Sequence, residues 1–250
     1  MNKQNSALII CILFINQTVF GNNEQTITRW KKEGIAFDQP EFVVVDNKAT
    51  IGQQTTIGCG VHILGQTNIG TSCTIGHFSI IKNCTLGNNV TIYSHCVLEN
   101  AVIEDNAKIG PFAHIQESTT IMQHAEIGNF VEVKRSTIGV GTKAKHLSYL
   151  GDTTTGKKVN IGAGTITCNY NGVSKHKTNV GDNTLIGSNN CLVAPIEIGN
   201  NAITGAGSTL TQNVPDDALA IARSNNQINK EGYASKLLQK YKNEKKNNLN

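Results

Sequence analysis

Residues 51–80 read IGQQTTIGCGVHILGQTNIGTSCTIGHFSI. Isoleucine returns at every sixth place (Ile51, Ile57, Ile63, Ile69 and Ile75), most often followed by glycine. Outward from this stretch the beat continues through Ile81, Leu86, Ile92, Leu98, Ile103, Ile109, Ile115, Ile121, Ile127, Val133, Ile138, Ala144 and Leu150. It resumes at Val180, Ile186, Leu192 and Ile198. A fixed period this short defines a β-solenoid, in which each hexad is one side of a coil. The sides shorten to five residues at Ile81–Leu86, Leu98–Ile103 and Val133–Ile138. Their spacing is one coil or a multiple of it, so they are expected to stack at one corner. From Val43 to about Val214 the period predicts eight or nine coils of three hexads.

The composition agrees with a narrow prism. Aromatic residues make up only 5% of the 250 residues, as expected of a core too thin for rings, and 24 glycines suit a chain that turns every few residues. The net charge is +4, and the segment from Lys230 to Asn250, with six lysines and two glutamates, accounts for all of it. A basic tail on a neutral body reads as a solvated end and leaves no footprint for nucleic acid. The seven cysteines, Cys11, Cys59, Cys73, Cys84, Cys96, Cys168 and Cys191, form no CxxC pair and read as scattered reduced thiols.

Three segments fall outside the beat. At the N-terminus Lys3 precedes the apolar run ALIICILFI (Ala7 to Ile15), with Val19 and Gly21 placed as −3 and −1 of a cleavage site. The run is too short to span a membrane, which takes about 20 apolar residues. It reads either as a secretory signal over residues 1–21, cleaved after Gly21, or as part of a lead-in helix packed on the first coil. Residues 22–42 are mostly polar, hold Trp30, and place Pro40 at the entry to the first strand. After Val214-Pro215, residues 215–250 form a C-terminal arm in which Tyr233, Leu237, Leu238 and Tyr241 have helical spacing. Within the prism (residues 43–214), residues 167–179 (TCNYNGVSKHKTN) interrupt the hexads and predict an extruded polar loop, where function tends to sit.

The densest polar patch runs from Glu132 to Lys175. GNFVEVKRSTIGVGTKAKHLSYLGD followed by VNIGAGTITCNYNGVSKHKT resembles the acetyltransferase half of the bacterial bifunctional N-acetylglucosamine-1-phosphate uridylyltransferase/glucosamine-1-phosphate N-acetyltransferases. The resemblance covers about residues 26–232. It implies a left-handed parallel β-helix, against the usual right-handed crossover, that assembles as a homotrimer with sites between subunits. It also implies acetyl transfer from acetyl-CoA to an amino-sugar phosphate, in the synthesis of UDP-N-acetylglucosamine. The equivalent of the uridylyltransferase half, and with it the Mg²⁺ of that half, has no counterpart before Val43.

Acetyl transfer needs a neutral amine and therefore a base. His146, within KHLSYLGD, is the candidate, because an imidazole is the usual proton acceptor near neutral pH. A lone histidine is more often structural, and the family motif reverses that reading. Glu132 matches a carboxylate that orients the base or the amine. Lys134 and Lys175 match contacts to the phosphorylated sugar, and Tyr149 and Asn160 match its hydrogen-bonding residues. Ala163, in the IGAGT turn, matches the position whose backbone N–H faces the thioester oxyanion. Asn169, Tyr170, Ser188, Ala206 and Arg223 match acetyl-CoA contacts, and a cation at Arg223 suits the coenzyme's phosphates.

One departure stands out. The family carries G-P-F-A-R-x-R, with arginine on the sugar phosphate, where this chain has Gly110-Pro111-Phe112-Ala113-His114-Ile115-Gln116. Loss of a bidentate phosphate contact leaves another amino sugar open as acceptor. Two further readings stand beside the transferase. One is a hexapeptide-fold carbonic anhydrase with zinc on three histidines, for which the histidine spacings give no support. The other is a non-catalytic relic of a two-domain enzyme. Acetyl-CoA is a cytosolic donor, so the transferase reading carries a cytoplasmic location with no membrane span, against the export implied by a signal.

Overall fold

The computed structural model describes residues 24–223. The apolar run and cleavage site at the N-terminus, Cys11, and the tail with its helical spacing lie outside these residues.

The chain winds as a parallel β-solenoid whose strands join every third neighbour, giving three sheets of 11, 10 and 9 strands. This is the left-handed parallel β-helix that the resemblance implied. The first face runs from Ala36–Phe37 to Leu219–Ala220 and the second from Val44–Val45 to Thr209–Leu210. The third runs from Thr50–Ile51 to Ile196–Ile198. Every residue of the aliphatic beat points inward: Ile57, Ile75, Ile92 and Ile109 stack on the first face, Ile63, Ile81, Leu98 and Ile115 on the second, and Ile69, Leu86, Ile103 and Ile121 on the third. These side chains are buried in one continuous core. Burying an aliphatic side chain contributes about 1.5–3 kcal/mol, so the stack is the main stabilising term.

The five-residue sides all lie at the corner between the second and third faces, as their spacing implied. They shorten the coil, so Ile92 pairs with Ile75 and Ile109 at intervals of 17 rather than 18 residues. The second face accordingly has ten strands, one or two coils more than the sequence count. The silence in the beat after Leu150 hid part of the remainder. There Thr155 and Thr167 take inward places and satisfy their hydroxyls on backbone: Gly139 N–H donates to Thr155 Oγ1 at 2.9 Å and Gly151 N–H to Thr167 Oγ1 at 2.8 Å. Residues 167–179 leave the prism at this same corner, with Ile166–Cys168 and Thr178–Val180 keeping both feet in the sheets.

Residues 24–32 are helical and close the N-terminal end of the core with Ile27 and Trp30. The first strand, Ala36–Phe37, precedes Pro40, which instead starts a 3-10 turn. The corner between the first and second faces is different in kind. Phe78, His95, Phe112, Phe130 and Leu147 occupy successive left-handed positions there, with φ of 50–60°. Glycine usually fills such places. Here the rings stack on one another, His95 on Phe112 with centroids 4.9 Å apart and Phe112 on Phe130 at 5.3 Å. All but His95 are among the exposed large hydrophobic residues.

Candidate active site along one edge of the prism

His146 ends the strand Lys143–His146, at the corner between the first and second faces, and is exposed. Parallel register sets Asn129 beside it one coil earlier, and His146 Nδ1 meets Asn129 Oδ1 at 2.9 Å. An amide oxygen only accepts, so this contact assigns the ring proton to Nδ1 and leaves the Nε2 lone pair free. In that tautomer Nε2 is the nitrogen left to accept a proton. Asn129 escaped the sequence reading because its partner lies 17 residues away; its place in GNFVEVKRS, one coil before the histidine, was the available signal. The two residues line a cavity of about 280 Å³ with Tyr93, Lys108, Glu126 and Lys145. Lys145, paired with Glu126, holds that carboxyl below its usual range, with Lys143 and Lys108 adding to the effect.

Along the same corner, Ala163, Ser188 and Ala206 follow His146 coil by coil. Gly164 N–H donates to His146 O, Asn189 N–H to Ala163 O and Gly207 N–H to Ser188 O. Arg223 completes the line by donating through Nη1 to Ala206 O at 2.5 Å. Coils stack about 4.8 Å apart, so Ala206 sits about 14 Å from His146. Among the described residues the Ala163 N–H donates to no protein acceptor. Small side chains line this track between the His146 imidazole, the unpaired Ala163 amide and the Arg223 guanidinium.

The second face carries the polar residues. His114, Glu132 and Tyr149 are register neighbours in one outward row, and Gln116 and Lys134 in the next. Gln116 bridges the pair: its Nε2 donates to Glu132 Oε1 at 2.5 Å, and its Oε1 accepts from Lys134 Nζ at 2.7 Å. Lys134 also pairs with Glu117 at 3.0 Å, holding that carboxyl below its usual range. His114 leans the other way, with Nε2 3.9 Å from the Glu99 carboxylate. A side chain at Gly151 would collide with the Tyr149 hydroxyl and the Asn169 amide, so the glycine keeps this face open.

The extruded loop flanks the far side of the second face. Asn169 is buried at its root, Tyr170 and Lys175 are exposed, and an antiparallel bridge joins Tyr170 to Lys175. One chain therefore brings His146, Ala163, Ser188, Ala206 and Arg223 onto one edge, Glu132, Lys134 and Tyr149 onto the adjoining face, and Asn169, Tyr170 and Lys175 to its other border. Asn160 stands apart, on the first face beside Lys143. Among the described residues no group of three or more His, Cys, Asp or Glu side chains is placed to hold a metal ion. None of their helices is long and apolar enough to cross a membrane.

Family models agree with this architecture. One described as "GMPPB C-terminal domain" matches residues 40–121, and one described as "Bacterial transferase hexapeptide (six repeats)" matches residues 177–212. The chain carries the repeat of the bacterial hexapeptide transferases. Along most of its length it is similar to the C-terminal half of proteins called "Bifunctional protein GlmU". It is 48% identical over 204 residues to that of Geotalea uraniireducens, covering 82% of this chain and 44% of the relative. It is 50% identical over 201 residues to that of Thermodesulfovibrio yellowstonii, covering 80% and 44%. The chain thus spans less than half the length of these relatives. Among solved structures, the UDP-N-acetylglucosamine acyltransferase of Francisella novicida superposes with a TM-score of 0.53 at 18% identity, covering 74% of this chain and 66% of that one. That of Campylobacter jejuni gives 0.51 at 16%, covering 75% and 72%. These two likenesses are of fold alone.

Proposed function

We propose that the chain transfers the acetyl group of acetyl-CoA to the amine of glucosamine 1-phosphate, forming N-acetylglucosamine 1-phosphate. The observation that carries this reading is the edge itself: His146 with its Nδ1 tied to Asn129, at the head of the track through Ala163, Ser188 and Ala206 to Arg223. The coenzyme lies along the track with its phosphates toward Arg223, and Asn169 and Tyr170 add contacts from the loop. The amine attacks the thioester carbon; a C–N bond forms and, after the tetrahedral intermediate, the C–S bond breaks. His146 Nε2 takes the amine proton and returns it to the departing thiolate. The Ala163 N–H faces the oxyanion. Glu132 orients the amine, and Lys134, Tyr149, Asn160 and Lys175 hold the sugar phosphate. The step draws on no metal ion, and no uridylyl transfer is assigned to this chain.

Asn160 and Lys134 occupy different faces, so a sugar held by both lies between two copies of the chain. The exposed corner row of Phe78, Phe112, Phe130 and Leu147 supports such an assembly, in which large apolar groups find cover. A homotrimer is the form proposed, and the cytosolic donor places it in the cytoplasm.

A second reading, another amino sugar as acceptor, draws on the second face. His114 and Gln116 replace both family arginines, and Lys134 is already engaged by Glu117 and Gln116. A panel of amino sugars with acetyl-CoA, read by thiol release, separates the two. Turnover with glucosamine 1-phosphate exceeding that with unphosphorylated glucosamine supports the first. The reverse order supports the second, and release with neither, in wild-type protein, leaves a non-catalytic prism.

A further inference from the structure

Asp152 is given no part in the transfer, yet its backbone and its carboxylate both bond to the framework around the site. It lies at the corner where the loop leaves, in a left-handed conformation with φ 50°. Its backbone N–H donates to Lys134 O at 3.0 Å, and its carbonyl accepts from Thr178 N–H at 3.1 Å. Its carboxylate takes a fork from Arg135, Nε to Oδ1 at 2.7 Å and Nη2 to Oδ2 at 2.8 Å. Oδ2 also accepts from Asn169 Nδ2 at 2.5 Å. Asn169 and Thr178 are the two feet of the loop, so one residue grips both. The ion pair is largely screened from water, with side-chain exposures of 26% for Arg135 and 15% for Asp152. Such bidentate pairs fix direction as well as distance.

We propose that Asp152, clamped by Arg135, is a positioning residue that sets both feet of the loop and thereby places Asn169 and Lys175 over the second face. It touches no reacting atom. The inference rests on the proposed transfer for its kinetic consequence, but the clamp itself has a readout that needs no turnover. The Arg135 guanidinium, with Asn169 assisting, holds the Asp152 carboxyl below the usual aspartate range, so the clamp is charged at neutral pH. Arg135 also approaches Glu117, the partner of Lys134, at 3.8 Å. A chain of polar contacts therefore joins the loop to the residues that face the sugar.

The test uses the full chain with Arg135→Ala, Asp152→Asn, the double variant and Arg135→Lys. Tryptic cleavage after Lys175 or Lys177, without substrates, is expected to quicken about tenfold in both single variants. In the same proteins KM for acetyl-CoA and for the sugar phosphate should each rise about tenfold, with kcat held within about threefold. The double variant should be no worse than either single one, since the two groups act as a unit. Arg135→Lys, the mildest change, should fall between wild type and Arg135→Ala, and it decides the matter if the others do not fold. Wild-type cleavage rates and KM values in Arg135→Ala and Asp152→Asn would overturn the proposal, as would a fall in kcat with both KM values unchanged. If wild-type protein turns over no sugar, the transfer reading fails while the cleavage rates still decide the clamp.

Discussion

At the scale of single residues the site depends on which nitrogen of His146 carries the proton. Asn129 fixes it, so Asn129→Ala should lower kcat about tenfold with KM near wild type, while Asn129→Asp, which still accepts from Nδ1–H, should stay within about threefold. Steady-state kinetics check both. Gln116 is the complementary case. It spans Glu132 and Lys134 with a neutral amide where the resemblance expects a cation. Gln116→Arg should therefore lower KM for glucosamine 1-phosphate by about threefold to tenfold through a charged contact to phosphate; no change would argue for an acceptor without one. Of these residues, His146, Glu132, Lys134 and Tyr149 could be named from the sequence because they sit in one recognisable run. Asn129, Arg135 and Asp152 could not be given roles. Each acts on a partner about one coil away, and a linear reading carries no sign of which side chains a coil superposes.

At the scale of elements the unit is the coil, and its tolerance is set by backbone contact between neighbours. Gly128 belongs to the strand Glu126–Asn129, directly below the strand that ends in His146. A Cβ at Gly128 would run into the Lys145 carbonyl, which as backbone cannot move aside. Gly128→Ala should therefore cost about 2–3 kcal/mol of stability, measured by denaturant or thermal unfolding, and disturb His146 as well. The loop obeys a different rule. It leaves at the corner where the coils are already short, and its residues bond mainly to one another: Tyr170 OH donates to Gly172 O at 2.6 Å, and Asn171 Oδ1 accepts from the N–H groups of Val173 and Ser174. The break in the hexads announced this loop, but the hairpin within it depends on side-chain contacts that no period encodes. The helical residues 24–32 are similar. Trp30 and Ile27 are buried because the prism end needs a lid, a demand that arises from the stack and not from the segment.

For the whole molecule, the inward aliphatic beat is the part that sequence conveys almost completely, since a period of six can be satisfied by few backbones. The hand came from the resemblance, because periodicity is the same for either hand. The coil count slipped where Thr155 and Thr167 replaced aliphatic residues, an exchange invisible until their hydroxyls are seen to bond backbone. Charge is also distributed at this scale. Glu117 beside Lys134, Glu126 beside Lys145, Asp152 beside Arg135, and Asp182 accepting the Lys157 N–H all have carboxyls held below their usual range. Their folded values are depressed, so the unfolded chain binds more protons. The stability they contribute is complete above about pH 4–4.5, the unfolded range, and is lost as pH falls through the folded values. Melting temperature should hold from pH 7 to 5 and fall below about pH 4, with a shallower fall in Glu126→Gln.

Acetyl transfer by the edge headed by His146 can be measured as thiol release from acetyl-CoA with glucosamine 1-phosphate as acceptor, comparing wild type with His146→Ala. Wild type should show acceptor-dependent release, and the variant should lose about 10²–10⁴-fold in kcat with unchanged melting temperature. Equal release by the two proteins would contradict the role of His146, and none from wild type would contradict the transfer itself.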